Sequence, residues 1–223
     1  MRFRLKVCCI RSVEEARLAI ALGADALGLV SAMPSGPGVI AEAQIATIAA
    51  AVAPPVATFL LTSAQDPETI IAQQQRCGAN TLQLVDEMAP EAYPILRAAL
   101  PGVKLVQVIH VTGPESVEEA TVVASEVDAL LLDSGNPSAA VKELGGTGRV
   151  HNWTFSRRIV EEAPVPVFLA GGLHAGNVAE AIAQVQPFGL DVCSGVRTEE
   201  RLDEAKLRPF IAAMRAVRTG GNA

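Results

Sequence analysis

Basic residues are in the minority: 18 Lys and Arg stand against 24 Asp and Glu, a formal net charge of −6 in 223 residues. Nucleic acid and anionic membrane both need concentrated positive surface, so neither is expected as a partner. No apolar run approaches the roughly 20 residues that span a bilayer, and the opening residues lack the charged-then-apolar order of a secretory signal. The four cysteines, Cys8, Cys9, Cys77 and Cys193, show no C-x-x-C spacing. That argues against paired-cysteine metal sites and points to a cytoplasmic protein with reduced thiols. His110, His151 and His174 stand far apart with no carboxylate at ligand spacing, so no metal is expected and each is taken as a loop or rim residue. Aromatics make up only 4% of the chain and say little about interfaces, which leaves monomer or homodimer open. Low-complexity stretches, long linkers and a clear composition break are missing too, so residues 1–223 are expected to form one domain.

What is present is a rhythm. Half of the chain is apolar, enough for a sizeable core. Short β-branched or apolar runs alternate with longer stretches rich in Ala, Glu and Gln, the mark of βαβ units around a parallel sheet. Eight strands are expected, at Arg4–Cys9, Ala26–Ser31, Pro55–Leu61, Thr81–Val85, Lys104–Ile109, Ala129–Asp133, Val165–Ala170 and Gly189–Cys193. Apolar spacing of three and four residues predicts helices at Val13–Leu22, Ala41–Val52, Pro67–Cys77, Pro90–Leu100, Val117–Ala124, Trp153–Glu162, Asn177–Gln184 and Asp203–Val217. Eight such units at this length fit a (β/α)8 TIM barrel, whose active site lies at the C-terminal ends of the strands. A doubly wound sheet is the alternative, but its usual G-x-G-x-x-G turn is missing after the first strand, where Cys8-Cys9-Ile10-Arg11 stands.

Three glycine segments fall in the last units: Gly145-Gly146-Thr147-Gly148, Gly171-Gly172 and Ser194-Gly195. Glycine lets main chain approach an anion without a Cβ in the way, and N–H groups at a following helix start supply positive potential. Together they suggest one phosphate site and a phosphorylated small-molecule substrate. The rule that function sits at strand C-termini then selects Cys8 and Cys9, Ser35 to Gly38, Gln83 and Asp133. Strand alternation points one of Cys8 and Cys9 inward and the other towards the helices. A thiol there is either a small buried hydrophobe or a thiolate favoured by Lys6 and Arg11. Asp133 is either a loop-capping carboxylate or an acid/base group, and beside a phosphate site and a rim cysteine the catalytic role is the better fit. Such a pair could move protons in opposite directions if their environments push their pKa values apart. Asp191, inside the last strand, is taken as a structural hydrogen-bonding residue that could also orient the glycine segment after it.

With these residues in view, the chain resembles the phosphoribosylanthranilate isomerases nearly end to end. Lys6-Val7-Cys8-Cys9 is similar to that family's Lys-Ile-Cys-Gly, and Gly23-Ala24-Asp25-Ala26-Leu27-Gly28 to its Gly-Ala-Asp-x-x-Gly. Leu131-Leu132-Asp133, Gly145 to Gly148, Leu169 to Leu173, and Pro187-Phe188-Gly189 through Ser194-Gly195-Val196 follow in the same order. The resemblance implies a cofactor-independent Amadori rearrangement, aminoaldose phosphate to aminoketose phosphate, with Cys8 as general base, Asp133 as general acid and the glycine segments on the phosphate.

The chain also departs from that pattern. Ser35-Gly36-Pro37 stands where the family has Ser-Pro-Arg, so the arginine that pairs with the anthranilate carboxylate is missing. Gln83-Leu84-Val85-Asp86 replaces Gln-Leu-His-Gly, His151-Asn152-Trp153 replaces Phe-Asp-Trp, Arg197 replaces an acid, and Cys9 replaces a glycine. Arg11, Gln83 and Arg197 are therefore the candidates for the aglycone, the two arginines as substitute cations. Three alternatives remain in view. One is a paralogue working on another phosphoribosyl amine, and another a non-catalytic phosphosugar-binding protein. The third, a histidine-pathway sugar isomerase, is disfavoured because the chain shows neither an acid after strand one nor a clear half-repeat.

Overall fold

The computed structural model describes residues 2–135, 142, 144 and 148–217. Eight parallel strands, β1 (Arg4–Val7), β2 (Ala26–Val30), β3 (Ala57–Thr62), β4 (Thr81–Leu84), β5 (Lys104–His110), β6 (Ala129–Asp133), β7 (Val167–Leu169) and β8 (Gly189–Val192), close into a barrel in sequence order. β1 pairs with β2 on one side and β8 on the other, with Lys6 opposite both Ala26 and Asp191. The barrel has no open edge, which rules out the doubly wound sheet. Around it run α1 (Val13–Leu22), α2 (Glu42–Ala51), α3 (Pro67–Cys77), α4 (Ala92–Ala99), α5 (Glu115–Val123), α6 (Trp153–Glu162), α7 (Val178–Val185) and α8 (Glu204–Ala216). Among the described residues no helix is long and apolar enough to cross a membrane.

Strands covered on both faces read as continuous apolar runs, which is why β2 and β6 show little polar alternation. Leu5, Val7, Leu27, Leu29, Leu60 and Leu130 face the helices, while Ala26, Phe59, Leu61, Val106, Val108, Leu131 and Phe168 fill the barrel. Among these apolar groups Lys6 is fully buried, its Nζ donating to Asp191 Oδ2 at 2.9 Å and lying 5.3 Å from the Phe59 ring centroid. Gly28 makes the room: a Cβ there would stand 2.7 Å from Cys8 Sγ and 3.1 Å from Lys6 Nζ.

Most strand ends move by a residue or two, and three of these shifts have a plain local reason. β3 begins at Ala57 rather than Pro55, and β7 at Val167 rather than Val165, because Pro55 and Pro166 have no N–H for the ladder. β1 stops at Val7 because Cys9 takes a left-handed backbone, φ 63°. A small hairpin, β9 (Arg197–Thr198) with β10 (Arg201–Leu202), also lies between β8 and α8. Its turn uses Glu199 and Glu200 at positive φ in place of the Gly or Asn that would announce such a turn in sequence.

Candidate active site

A cavity of about 720 Å³, counting its open mouth, lies over the C-terminal ends of the strands. Cys8 and Cys9 reach it from β1, Gln83 from β4, Asp133 from β6, Gly171 and Gly172 from the loop after β7, and Asp191, Cys193 and Ser194 from β8 and its exit. Gly148 joins them from the end of the loop after β6. Gly145, Gly146 and Thr147 lie outside the described residues.

Both cysteines face the cavity, which corrects the expectation that only one would. Alternation stops at Val7, and the left-handed turn at Cys9 swings its side chain back inward, where it packs on Gly38. The Cys8 N–H donates to Val192 O at 2.9 Å, which fixes the residue against β8. A hydrogen bond from the Cys9 thiol and the charge of Lys6 hold the Cys8 thiol below its ordinary pKa, against the effect of burial. Cys9 is pushed the other way: its hydrogen bonds to Cys193 and Cys8, with burial, keep it protonated.

Asp133 ends β6 and accepts from the Ser134 N–H at 2.7 Å. Burial raises its pKa above the ordinary carboxylate value, with Asp191 adding to the rise and the Ser134 bond and His110 opposing it. Asp191 is pushed up by burial and pulled down by Lys6. Burial also works against the Lys6 charge, but Asp191, Cys8 and Cys9 together outweigh it, and Lys6 lies 2.9 Å from Asp191 Oδ2. The inward face thus holds a thiol shifted down and a carboxyl shifted up, with an ion pair buried below them.

The described parts of the glycine segments interlock. A Cβ on Gly172, φ 61°, would lie 2.8 Å from the Arg149 carbonyl, and one on Gly195 would strike the Leu173 carbonyl. Gly148 in turn sits against Ser194. Asn177, at the start of α7, donates to Gly172 O at 3.0 Å and accepts from the His174 N–H at 2.8 Å, pinning this loop. Sequence gave no reason to single out Asn177 beyond its place at a helix start.

The two candidate cations do not reach the cavity. Arg11 is half-exposed and donates to Glu200 Oε2 at 2.7 Å. Arg197 is buried under the rim: it donates to Cys8 O at 3.0 Å, to Glu200 O at 2.9 Å and to Cys9 O, and lies 3.4 Å from Glu15. Both terminal nitrogens of the guanidinium are engaged, by three main-chain carbonyls and the Glu15 carboxylate, so Arg197 braces the turn at Cys8 and Cys9 instead of greeting a ligand. Glu15 anchors the same corner, accepting from the N–H groups of Arg11 and Leu202 at 2.9 Å. Lys142 donates to Asp86 Oδ2 at 2.5 Å, and its carbonyl accepts from Ser35 Oγ at 2.6 Å, tying the loop after β6 to those after β4 and β2. No described residue lining the cavity is Lys or Arg.

Gln83 does reach the cavity, buried, with Oε1 lacking a partner among the described residues. Unpaired buried acceptors are uncommon, and one that faces a cavity is placed to meet a ligand donor. Met33, Pro37 and Leu144 give the mouth an apolar wall. His151, its pKa lowered to about 4 by burial, bonds through Nε2 to Ser156 Oγ at 2.6 Å, with Nδ1 turned towards Gly171. His110 bonds through Nε2 to Val85 O at 2.9 Å.

Buried titratable groups and closely packed glycine main chain, gathered at the C-terminal mouth of a (β/α)8 barrel, define an enzyme of this fold working on a small molecule. The comparisons with known proteins narrow that class. The chain belongs to the N-(5'-phosphoribosyl)anthranilate isomerase family, whose model matches residues 5–213. It is similar to N-(5'-phosphoribosyl)anthranilate isomerase 2 of Methanosarcina mazei, 36% identical over 210 residues that cover 93% of this chain and 92% of that protein. It is likewise similar to the N-(5'-phosphoribosyl)anthranilate isomerase of Desulforudis audaxviator, 37% identical over 213 residues, 95% of this chain and 97% of that one. Among solved structures, the phosphoribosyl anthranilate isomerase of Thermus thermophilus matches with a TM-score of 0.81 at 29% identity, covering 97% of this chain and 100% of that one.

Proposed function

We propose that this chain isomerises N-(5'-phosphoribosyl)anthranilate, an aminoaldose, to the corresponding 1-deoxyribulose 5-phosphate aminoketose. Asp133, protonated, gives its proton to the furanose ring oxygen. The C1–O bond breaks, and the amine lone pair makes a C1=N Schiff base. Cys8, as thiolate, removes the proton from C2, and those electrons form the enamine that tautomerises to the ketose. The reaction calls for no cofactor. The observation that carries the proposal is the opposed setting of the two groups in one cavity, thiol down and carboxyl up, which suits a base and an acid acting in one turnover.

Gly148, Gly171, Gly172, Ser194 and Gly195 take the phosphate with main chain, together with Gly145, Gly146 and Thr147 of the same loop. The anthranilate ring lies along Met33, Pro37 and Leu144, and Gln83 Oε1 accepts a substrate N–H or O–H. The protein works on this phosphorylated small molecule in the cytoplasm, as one barrel domain, monomeric or homodimeric, without nucleic acid or membrane as partner.

The lack of Lys and Arg along the described cavity wall favours a second reading, in which the same chemistry acts on a phosphoribosyl amine whose aglycone carries no carboxylate. Steady-state turnover of freshly made phosphoribosylanthranilate, followed by anthranilate fluorescence, separates the two. Turnover that disappears in Cys8→Ala supports the first. A folded protein without turnover points to the second, or to phosphosugar binding alone.

A further inference from the structure

Three sulfurs meet where β1 and β8 leave the barrel, and the proposed mechanism uses only one of them. Cys193 Sγ and Cys9 Sγ lie 2.7 Å apart, in hydrogen-bond contact and less than an ångström beyond the ~2.05 Å of a covalent S–S bond. Both are free thiols. Cys9 is fixed in this direction. Its backbone is left-handed, Gly38 presses on its Cβ, and Pro37 O lies 3.6 Å from its sulfur. The two strands that carry the pair are hydrogen-bonded neighbours, so little backbone has to move for the sulfurs to join. Both side chains line the substrate cavity, and Cys193 is the more exposed of the two.

We propose that Cys9 and Cys193 are a peroxide-driven disulfide site at the catalytic rim. Cys193, as thiolate, attacks one oxygen of hydrogen peroxide. The O–O bond breaks and, with a proton, water leaves, so that Cys193 becomes a sulfenic acid. The Cys9 sulfur then attacks the sulfenic sulfur. The S–O bond breaks, the departing hydroxide takes the Cys9 proton as a second water, and the S–S bond forms. Two thiols are oxidised by two electrons in all, and one peroxide is reduced to two waters. A dithiol reductant reverses the bond by exchange. Cys77, buried between helix and sheet away from the cavity, stays a thiol.

The consequence for catalysis rests on the isomerase reading. Cys9 in the disulfide has no proton to give Cys8, so the base loses its hydrogen-bond donor, and turnover falls by about tenfold, part of the 10²–10⁴-fold that general acid–base catalysis contributes. The bond itself can be tested without that reading.

The full chain is treated with a small excess of hydrogen peroxide, blocked with iodoacetamide in denaturant, digested without reductant and mapped by mass spectrometry. The expected product joins the peptide holding Cys8 and Cys9 to the one holding Cys193. The link survives in Cys8→Ala, is missing in Cys9→Gly and Cys193→Ser, and disappears with dithiothreitol, while Cys77 is alkylated throughout. Wild-type protein in which both peptides are fully alkylated or only over-oxidised would overturn the proposal, as would a link that persists in Cys9→Gly. A mapped link without change in turnover keeps the disulfide and counts against Cys8 as the base.

Discussion

The side of the cavity built after β7 presents mostly close-packed main chain, whereas the side built after β1, β2 and β4 presents more of its surface as side chains. On the first side, Gly172 and Gly195 let three loops approach so closely that a single added carbon would strike a carbonyl. On the second, Cys9, Ser35-Gly36-Pro37 and Asp86 stand where the family resemblance leads one to expect glycine, Ser-Pro-Arg and glycine. A site made of backbone is constrained by shape and tolerates little change, while a site made of side chains can be rewritten one residue at a time. Under the proposed function, this difference would let a chain keep a family's phosphate chemistry while its aglycone contacts change.

The largest effects are expected at the two residues that join the sides. Cys8→Ala and Asp133→Asn should each lower kcat by about 10²–10⁴-fold, with circular dichroism unchanged; turnover close to wild type in either variant would break the mechanism. The two differ in stability. The folded state raises the Asp133 pKa, so its contribution is fully present below the unfolded pKa and is lost as pH rises through the folded one. Asp133→Asn should therefore unfold at the same or a higher temperature than wild type at neutral pH, and a clear loss of Tm would show that Asp133 is structural.

Next in size is the backbone side. Gly172→Ala should raise KM roughly tenfold, the equivalent of ~1.4 kcal/mol, because the added Cβ would crowd the Arg149 carbonyl and strain a left-handed backbone. An unchanged KM would detach this loop from the phosphate. On the side-chain half, Pro37→Arg restores a cation to the mouth. A charge-assisted bond to carboxylate is worth roughly 1.5–3 kcal/mol, so KM for phosphoribosylanthranilate should fall by about tenfold or more. No gain would mean that the carboxylate is already met or is not part of the natural substrate.

The pH profile of kcat/KM tests the same pairing. Activity should fall as pH drops through the depressed Cys8 pKa, where the base is protonated, and again as pH rises through the elevated Asp133 pKa, where the acid is ionised. Cys9→Gly, which removes the donor to Cys8, should move the thiol limb to higher pH. The smallest effect belongs to Arg11→Ala, whose half-exposed ion pair with Glu200 is worth about 0–1 kcal/mol. Arg197→Ala should instead lower Tm, because it strips three carbonyl contacts, two of them buried. Raised KM at native Tm for either arginine would return it to the ligand.

The fold was legible in the sequence because eight apolar runs buried on both faces leave few other arrangements, and five of the eight helices differ from expectation only by trimmed or shifted ends. Cys8, Asp133, Gln83 and the late glycines were legible because strand C-termini and glycine clusters mark the mouth of any such barrel. What stayed hidden depends on backbone torsion and long-range pairing. The left-handed Cys9 overrides strand alternation, the Glu199-Glu200 turn carries no turn residue, and the partners that occupy Arg11 and Arg197 come from distant elements. An arginine near a rim looks free in sequence, and only three-dimensional placement reveals that it is held by Glu200, or by Glu15 and three carbonyls, away from the cavity.

The most direct measurement is turnover of phosphoribosylanthranilate by wild type and Cys8→Ala side by side. Turnover in the first that is lost in the second, with both folded, is the expected result; equal turnover in both, or none in wild type, would contradict a thiolate-driven isomerase.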